Sequence, residues 1–217
     1  LRYNVVMARL YRNDYQGREN LRIFANTNPI GRLVKPIVRG VYRWIDSLLP
    51  QPRDFLLRRV RLGSKVCEVG VYEGIFSQRI LDIVRPSSLV LIDPWAEIPN
   101  SKQKYDQAHQ EARYEAARTR LARGITGGSV EIIRDTSDNA AVVLATRAFD
   151  LIYIDGDHSY AQVSSDIANY WPLVTTGGIL AGDDYRISDI ARAVAEHCEL
   201  HHVALEVKND QFILIKR

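Results

Sequence analysis

From Lys65 onward, short apolar runs alternate with longer helical patterns, and this alternation limits the fold more than any other feature of the chain. The runs at 66–69, 89–92, 130–133, 151–154 and 179–181 are too short for helices and apolar throughout, as strands are when both faces of a parallel sheet are covered. Between them, residues 76–84, 105–122, 139–146, 161–173 and 188–198 have helical length and spacing. The 105–122 stretch is polar, so it reads as a half-covered, solvated helix, and its place after the second strand is also that of a lid. Two final runs, 202–207 and 212–215, flank Lys208-Asn209-Asp210-Gln211, a spacing that predicts a closing hairpin. The expected fold class is therefore α/β: a Rossmann-like, mostly parallel sheet with an antiparallel C-terminal hairpin and helices on both faces.

With 217 residues, 46% of them hydrophobic and 25% charged, the chain can bury one substantial core, which excludes the disordered and fibrous classes. Its charge is uneven. Residues 1–65 carry 14 Lys and Arg against 4 Asp and Glu, and the remainder carries 15 against 22. Within the basic part, Val34, Ile37, Val38, Val41, Trp44, Ile45 and Leu48 recur at helical spacing, with Arg32, Lys35, Arg39 and Arg43 on the other side. Two readings fit this helix. Its apolar stripe covers the main domain or a second copy, giving a homodimer, while the basic face is solvated; or the basic face meets an anionic substrate or a membrane surface.

Gln51-Pro52 interrupts that pattern and Arg58-Arg59-Val60-Arg61 leads to Gly63, so a basic, largely helical extension is expected over 1–62 and the core domain over 63–217. No run approaches the roughly 18 apolar residues of a spanning helix, and the first residues lack the pattern of a secretory signal, which points to a soluble, cytoplasmic protein. The chain opens on Leu1 rather than Met and is read as part of a longer protein. Cys67 and Cys198 are far apart in sequence, in apolar or helical contexts, and indicate neither a disulfide framework nor a zinc site.

In an open α/β sheet a ligand binds outside the carboxyl ends of the strands. The first of these ends reads Glu68-Val69-Gly70-Val71-Tyr72-Glu73-Gly74, with glycines for a tight turn and a close backbone approach, then a helix start with Ser77 in its first turn. This is not the dinucleotide fingerprint G-x-G-x-x-G, and its two acids would repel a pyrophosphate, so the cofactor expected here carries no phosphate. Asp93 ends the second strand, where a carboxylate accepts hydrogen bonds from a ribose diol. After the third strand, Asp135-Thr136-Ser137 stand where an adenine edge would meet them.

This arrangement resembles the class I S-adenosylmethionine-dependent methyltransferases, whose first motif is Glu/Asp-x-Gly-x-x-x-Gly with an acid at the second strand. The likeness spans about 65–217 and includes the terminal hairpin. It implies S-adenosyl-L-methionine as the cofactor, bound by Glu68, Gly70, Tyr72, Gly74, Ser77, Asp93, Asp135, Thr136, Ser137 and Asp155.

Two later segments bear on the chemistry: Tyr153-Ile154-Asp155-Gly156-Asp157-His158-Ser159-Tyr160 and Gly177-Gly178-Ile179-Leu180-Ala181-Gly182-Asp183-Asp184-Tyr185. Each ends a strand, and neighbouring strands lie roughly 4.8 Å apart, so Asp155, Asp183 and Asp184 converge on one rim. Carboxylates crowded without a partner resist ionisation, and a divalent cation relieves the repulsion. An all-oxygen set suits Mg²⁺, Ca²⁺ or Mn²⁺ rather than zinc.

The two segments are similar to those of the macrocin and mycinamicin sugar O-methyltransferases, in which Ile-Asp-Gly-Asp-His-x-Tyr and a Gly-Gly stretch ending in Asp-Tyr flank a magnesium site. Catechol O-methyltransferase is a more distant likeness, with Asp155 and Asp183-Asp184 at its metal positions; it has Asn for the second of that pair and a lysine where His158 stands here. The resemblance implies a metal-dependent O-methyltransferase. On that likeness Asp155, Asp183 and Asp184 would hold Mg²⁺, which would ligate vicinal hydroxyls of a small acceptor such as a sugar, glycoside or natural product, and His158 beside Asp155 would take the proton. Asp157 either orients His158 or supports the metal. Tyr72, Trp95, Tyr160 and Tyr185 either line the pocket or pack, and His109, His197, His201 and His202 have no comparable setting.

A nucleic-acid acceptor is disfavoured: the Asn/Asp-Pro-Pro-aromatic motif of amino-group methyltransferases is absent where the fourth strand ends, and Asp155-Gly156-Asp157 repels a phosphate backbone. Two alternatives stay open, a cofactor-binding module without turnover and a methyltransferase that uses no metal on another acceptor. The first has no need of His158 or of both acidic segments.

Overall fold

The computed structural model describes residues 51–97 and 106–217, so the basic helix expected at 33–49, with the dimer and membrane readings that rest on it, lies outside the described residues. In chain order the elements are α1 (Asp54–Leu57), β1 (Lys65–Val69), α2 (Ile75–Ile83), β2 (Ser88–Ile92), α3 (Gln107–Arg120), α4 (Ala122–Thr126) and β3 (Val130–Ile133). There follow α5 (Ser137–Val143), β4 (Phe149–Ile154), α6 (Tyr160–Tyr170), β5 (Val174–Gly182), α7 (Ser188–His201), β6 (Leu205–Lys208) and β7 (Gln211–Ile215). They form a seven-stranded sheet in the order β3-β2-β1-β4-β5-β7-β6. Every pair from β3 to β5 is parallel, and β7 runs antiparallel between β5 and β6. The expected α/β class and terminal hairpin are both present.

Strand residues alternate between two cores, as a period of two requires. Val66, Leu89, Leu91, Leu151 and Tyr153 pack with Leu56 and Leu57 of α1, Ile80 of α2 and Ala117 of α3. Cys67, Val69, Val90, Ile152 and Ile154 face Ala140, Val163, Ile167, Ile190 and Val194 of α5, α6 and α7. Burial of each such aliphatic side chain contributes roughly 1.5–3 kcal/mol.

Several boundaries differ from the expectation. The compact unit begins at Pro52 rather than at 63, because the one-turn α1 places Leu56 and Leu57, both fully buried, in the core; four residues beside a basic run give no periodic signal. The helix expected over 105–122 breaks at Leu121 into α3 and α4. That expected over 161–173 ends at Tyr170, with a 3₁₀ turn at Trp171–Leu173, since Pro172 cannot continue the ladder. β5 is longer than the apolar run 179–181, and the final hairpin starts at Leu205 because His202, at φ +53, caps α7. No helix among the described residues is long and apolar enough to cross a membrane.

Chain direction across the sheet reverses between β1 and β4, and their ends are level: Val69 pairs with both Ile92 and Ile154, and Ile154 with Gly182. Gly70, Asp93, Asp155 and Asp183 therefore leave the sheet along one rim. At the centre of that rim Gly70 has φ +89, and a Cβ there would stand 2.0 Å from the Asp155 carbonyl oxygen. Gly70→Ala should combine this overlap with left-handed strain and cost about 3 kcal/mol, read as a lowered urea midpoint at unchanged slope. A midpoint equal to the parent's would show that the end of β4 gives way freely.

Candidate active site

The Gly70–Gly74 loop is fixed by backbone bonds before any ligand is considered. Gly70 N–H donates to Ile92 O at 2.8 Å, and Asp155 N–H donates to Val69 O at 2.7 Å. Asp93 turns its carboxylate back onto the loop: Oδ2 accepts from Val71 N (2.9 Å) and Tyr72 N (3.0 Å), and Oδ1 from Trp95 N (2.8 Å). Trp95, itself buried, donates its indole N–H to Tyr72 O at 2.8 Å. Gly74, at φ +71, lets α2 begin against Ala117 and Leu121.

Glu68 lies below this loop, 1% exposed, and accepts a 2.6 Å hydrogen bond from Ser77 Oγ. Burial pushes its carboxyl up from 4.5 to about 8, the Ser77 bond opposing, so it is held neutral near physiological pH.

Above the strand ends lies a cavity of about 370 Å³. Six of the residues expected to bind a cofactor line it: Gly70, Tyr72, Asp93, Thr136, Ser137 and Asp155. Four others do not reach its wall. Glu68 and Ser77 support the loop from inside, and Gly74 packs on α3. Asp135 is exposed and turned to Thr136 N (2.7 Å) and Asn139 Nδ2 (2.8 Å).

The cavity has walls that the sequence reading did not name. Gln110 and Arg113 of α3 line it, and the Arg113 guanidinium lies 4.3 Å from the Tyr72 ring centroid. Gln162 and Asp166 of α6 form the side next to Ser137. Asp166 is 1% exposed and accepts from Gln162 Nε2 at 3.0 Å; burial raises its carboxyl to about 6. A signal for it exists in the sequence, since Asp166 shares the buried face of α6 with Val163, Ile167 and Tyr170.

The acidic rim has a partner that the sequence did not reveal. Arg53, just before α1, donates Nη1 to Asp155 Oδ2 at 2.7 Å and Nη2 to Asp183 Oδ2. Asp183 is thereby turned to Arg53, and the donors that lie together, all within 4.8 Å of one another, belong to Asp155, His158 and Asp184. His158 Nε2 stands 3.9 Å from Asp155 Oδ1 and 3.6 Å from Asp184 Oδ2, ion-pair rather than hydrogen-bond distances. Asp155 foremost, with Asp184 and Asp157, raises the imidazole pKa against the opposing effect of partial burial. Asp157 Oδ1 accepts from Ser159 N at 2.6 Å and so fixes the turn into α6. Among the remaining aromatics, Tyr160 bonds Glu196 through its hydroxyl, and Tyr185 packs on the core.

A family described as a methyltransferase domain matches residues 67–185, which span the first loop, the cavity and both acidic segments. The chain belongs to that methyltransferase domain family. Similar solved structures include CalS11, a calicheamicin methyltransferase (TM-score 0.61, 16% identity, 91% of this chain and 90% of that one). Others are a methyltransferase from Geobacter sulfurreducens (TM-score 0.53, 15% identity, 83% and 87%) and an O-methyltransferase from Bacillus cereus in complex with SAH (TM-score 0.50, 16% identity, 71% and 75%). Among curated proteins, R132 of Acanthamoeba polyphaga mimivirus is 28% identical over 123 residues, 55% of this chain; the chain spans half the length of that relative.

The cavity has the position expected for S-adenosyl-L-methionine, opening at the strand ends where the strand order reverses. The donor set Asp155, His158 and Asp184 also has chemistry that suits a divalent cation, although Arg53 already holds one oxygen of Asp155. Glu68 sets a pH dependence. Because its folded pKa lies above its unfolded one, stability should fall as pH rises from about 4.5 to 8, by up to about 1.4 kcal/mol per unit, and then level off. Glu68→Gln should flatten that window in urea titrations run between pH 5 and 8.5, and an unchanged slope would mean that Glu68 is ionised in the fold.

Proposed function

We propose that this methyltransferase methylates a hydroxyl of a small molecule or glycoside, a sugar or natural product, with His158 as the general base. The observation that carries the reading is His158 Nε2 beside Asp155 and Asp184 at the edge of the cofactor cavity. When bound, S-adenosyl-L-methionine supplies an activated methyl group on sulfur. The chain supplies the rest. Gly70, Tyr72 and Asp93 hold one end of the cavity and Thr136, Ser137, Gln162 and Asp166 the other, with α3 shielding it from water through Gln110 and Arg113. His158 receives the hydroxyl proton at Nε2, and the two carboxylates stabilise the imidazolium that results.

A second reading adds Mg²⁺, favoured by the closeness of the Asp155, His158 and Asp184 donors. Asp155 and Asp184, joined by Asp183 if it turns from Arg53, would hold the ion, whose charge would acidify an acceptor hydroxyl. A sugar acceptor has support from CalS11, described as a TDP-rhamnose 3'-O-methyltransferase of calicheamicin biosynthesis. The reading includes a cytoplasmic setting, and it treats the basic stretch before Pro52 as an accessory element facing a second copy or an anionic surface.

Calorimetry should show the protein binding S-adenosylmethionine and S-adenosylhomocysteine, and a glycoside screen should then give methyl transfer. His158→Gln should lower kcat by about 10²- to 10⁴-fold while leaving S-adenosylhomocysteine binding unchanged. Full activity in His158→Gln would remove the base assignment, and binding without turnover on any acceptor would favour a cofactor-binding module.

A further inference from the structure

Asp155 ends β4 and Asp183 follows β5, so neighbouring parallel strands deliver two carboxylates to one place. The charge that meets them comes from Arg53, more than a hundred residues earlier in the chain. One guanidinium bridges both acids, with Nη1 on Asp155 Oδ2 and Nη2 on Asp183 Oδ2, the planar two-pronged match that only arginine offers. The same group lies 5.1 Å from the Phe76 ring centroid and 5.4 Å from that of Tyr153, whose faces favour a cation.

Arg53 is held on each side. Pro52 O accepts from Asn209 Nδ2 at 3.1 Å. Asp54 is ion-paired with Arg79, whose Nε reaches Asp54 Oδ1 at 3.1 Å, and Leu56 and Leu57 are fully buried. The guanidinium therefore belongs to a fixed piece of backbone, and its place at the rim is set by packing as well as by charge.

We propose that Arg53 is the resident counter-ion of the acidic rim and competes with a divalent cation for Asp155 and Asp183. A metal held by these two acids would share carboxylates whose Oδ2 atoms Arg53 already occupies, and two cations a few ångströms apart in a half-buried site repel strongly. The outer donors, His158 and Asp184, face each other at 3.6 Å, and Arg186 Nη2 lies 3.7 Å from Asp184 Oδ1. Drawing Asp183 into a metal site thus requires Arg53 to withdraw from it, and a metal on Asp155 Oδ1 would sit against the guanidinium's charge. The inference rests on the divalent-cation reading of this rim for the identity of the competitor.

The test is Mn²⁺ binding to the full chain, followed by electron paramagnetic resonance of free Mn²⁺ and by calorimetry, with S-adenosylhomocysteine binding in the same samples as the check on folding. Arg53→Met keeps the packing on Phe76 and Tyr153 but removes the charge, and should bind Mn²⁺ at least about tenfold more tightly than the parent. Arg53→Lys keeps the charge without the fork and should fall between the two. Adding Asp183→Asn to Arg53→Met should abolish the gain. Equal Mn²⁺ affinity in the parent and Arg53→Met would overturn the competition while leaving the metal reading in place. Absence of Mn²⁺ binding in both, with S-adenosylhomocysteine still bound, would overturn the competition and the metal reading together.

Discussion

The ends of β1 and β4 meet through one backbone hydrogen bond, from Asp155 N–H to Val69 O, and through the missing side chain of Gly70, against which the Asp155 carbonyl rests. Everything at the site is referred to this junction. It sets the height of Asp155 above the sheet, and from there the turn through Asp157 to the start of α6, which carries Gln162 and Asp166 to the cavity. On the other side it sets the start of the loop that Asp93 and Trp95 hold. A residue with a side chain in place of Gly70 would separate two strands that share the sheet's point of reversal.

Carboxylates crowd this rim, and the fold settles each in a different way. Glu68 is buried and kept neutral, with one hydroxyl donor. Asp93 is surrounded by three backbone N–H groups. Asp155 and Asp183 share a guanidinium, and Asp184 stands near His158 and Arg186. Local charge repulsion is therefore relieved by burial of a neutral carboxyl, by amide dipoles or by a cation distant in sequence.

Much of this was legible in the sequence because it is local. Strand runs, the Glu68 to Gly74 loop and the two acidic segments each occupy a few consecutive residues, and all emerge where strand ends were expected. The exceptions depend on contacts between distant residues or on context. Arg53 is 102 residues from Asp155 and 130 from Asp183, and nothing around it distinguishes it from the other arginines of a basic stretch. Asp135 has the position of a ligand-binding acid, yet Asn139 Nδ2 and the N–H of Thr136 both claim its Oδ1. Asp166 was the opposite case: an acid on an apolar helix face, whose spacing marked it as buried although its distance in sequence from the third strand hid its neighbours.

The hairpin turn at Asn209 and Asp210 has a reach beyond the sheet. Both residues have left-handed φ values, +52 and +68, the geometry of a tight two-residue turn matched to strand twist. Asn209 holds Pro52 O, and Asp210 accepts from Tyr185 N through its carbonyl and from Arg186 N through Oδ1. The last two strands thus clasp both the segment that presents Arg53 and the loop that presents Asp184. A change of side chain at this one bend is therefore felt at two places on the acidic rim, by the guanidinium on one side and by the Asp184 carboxylate on the other.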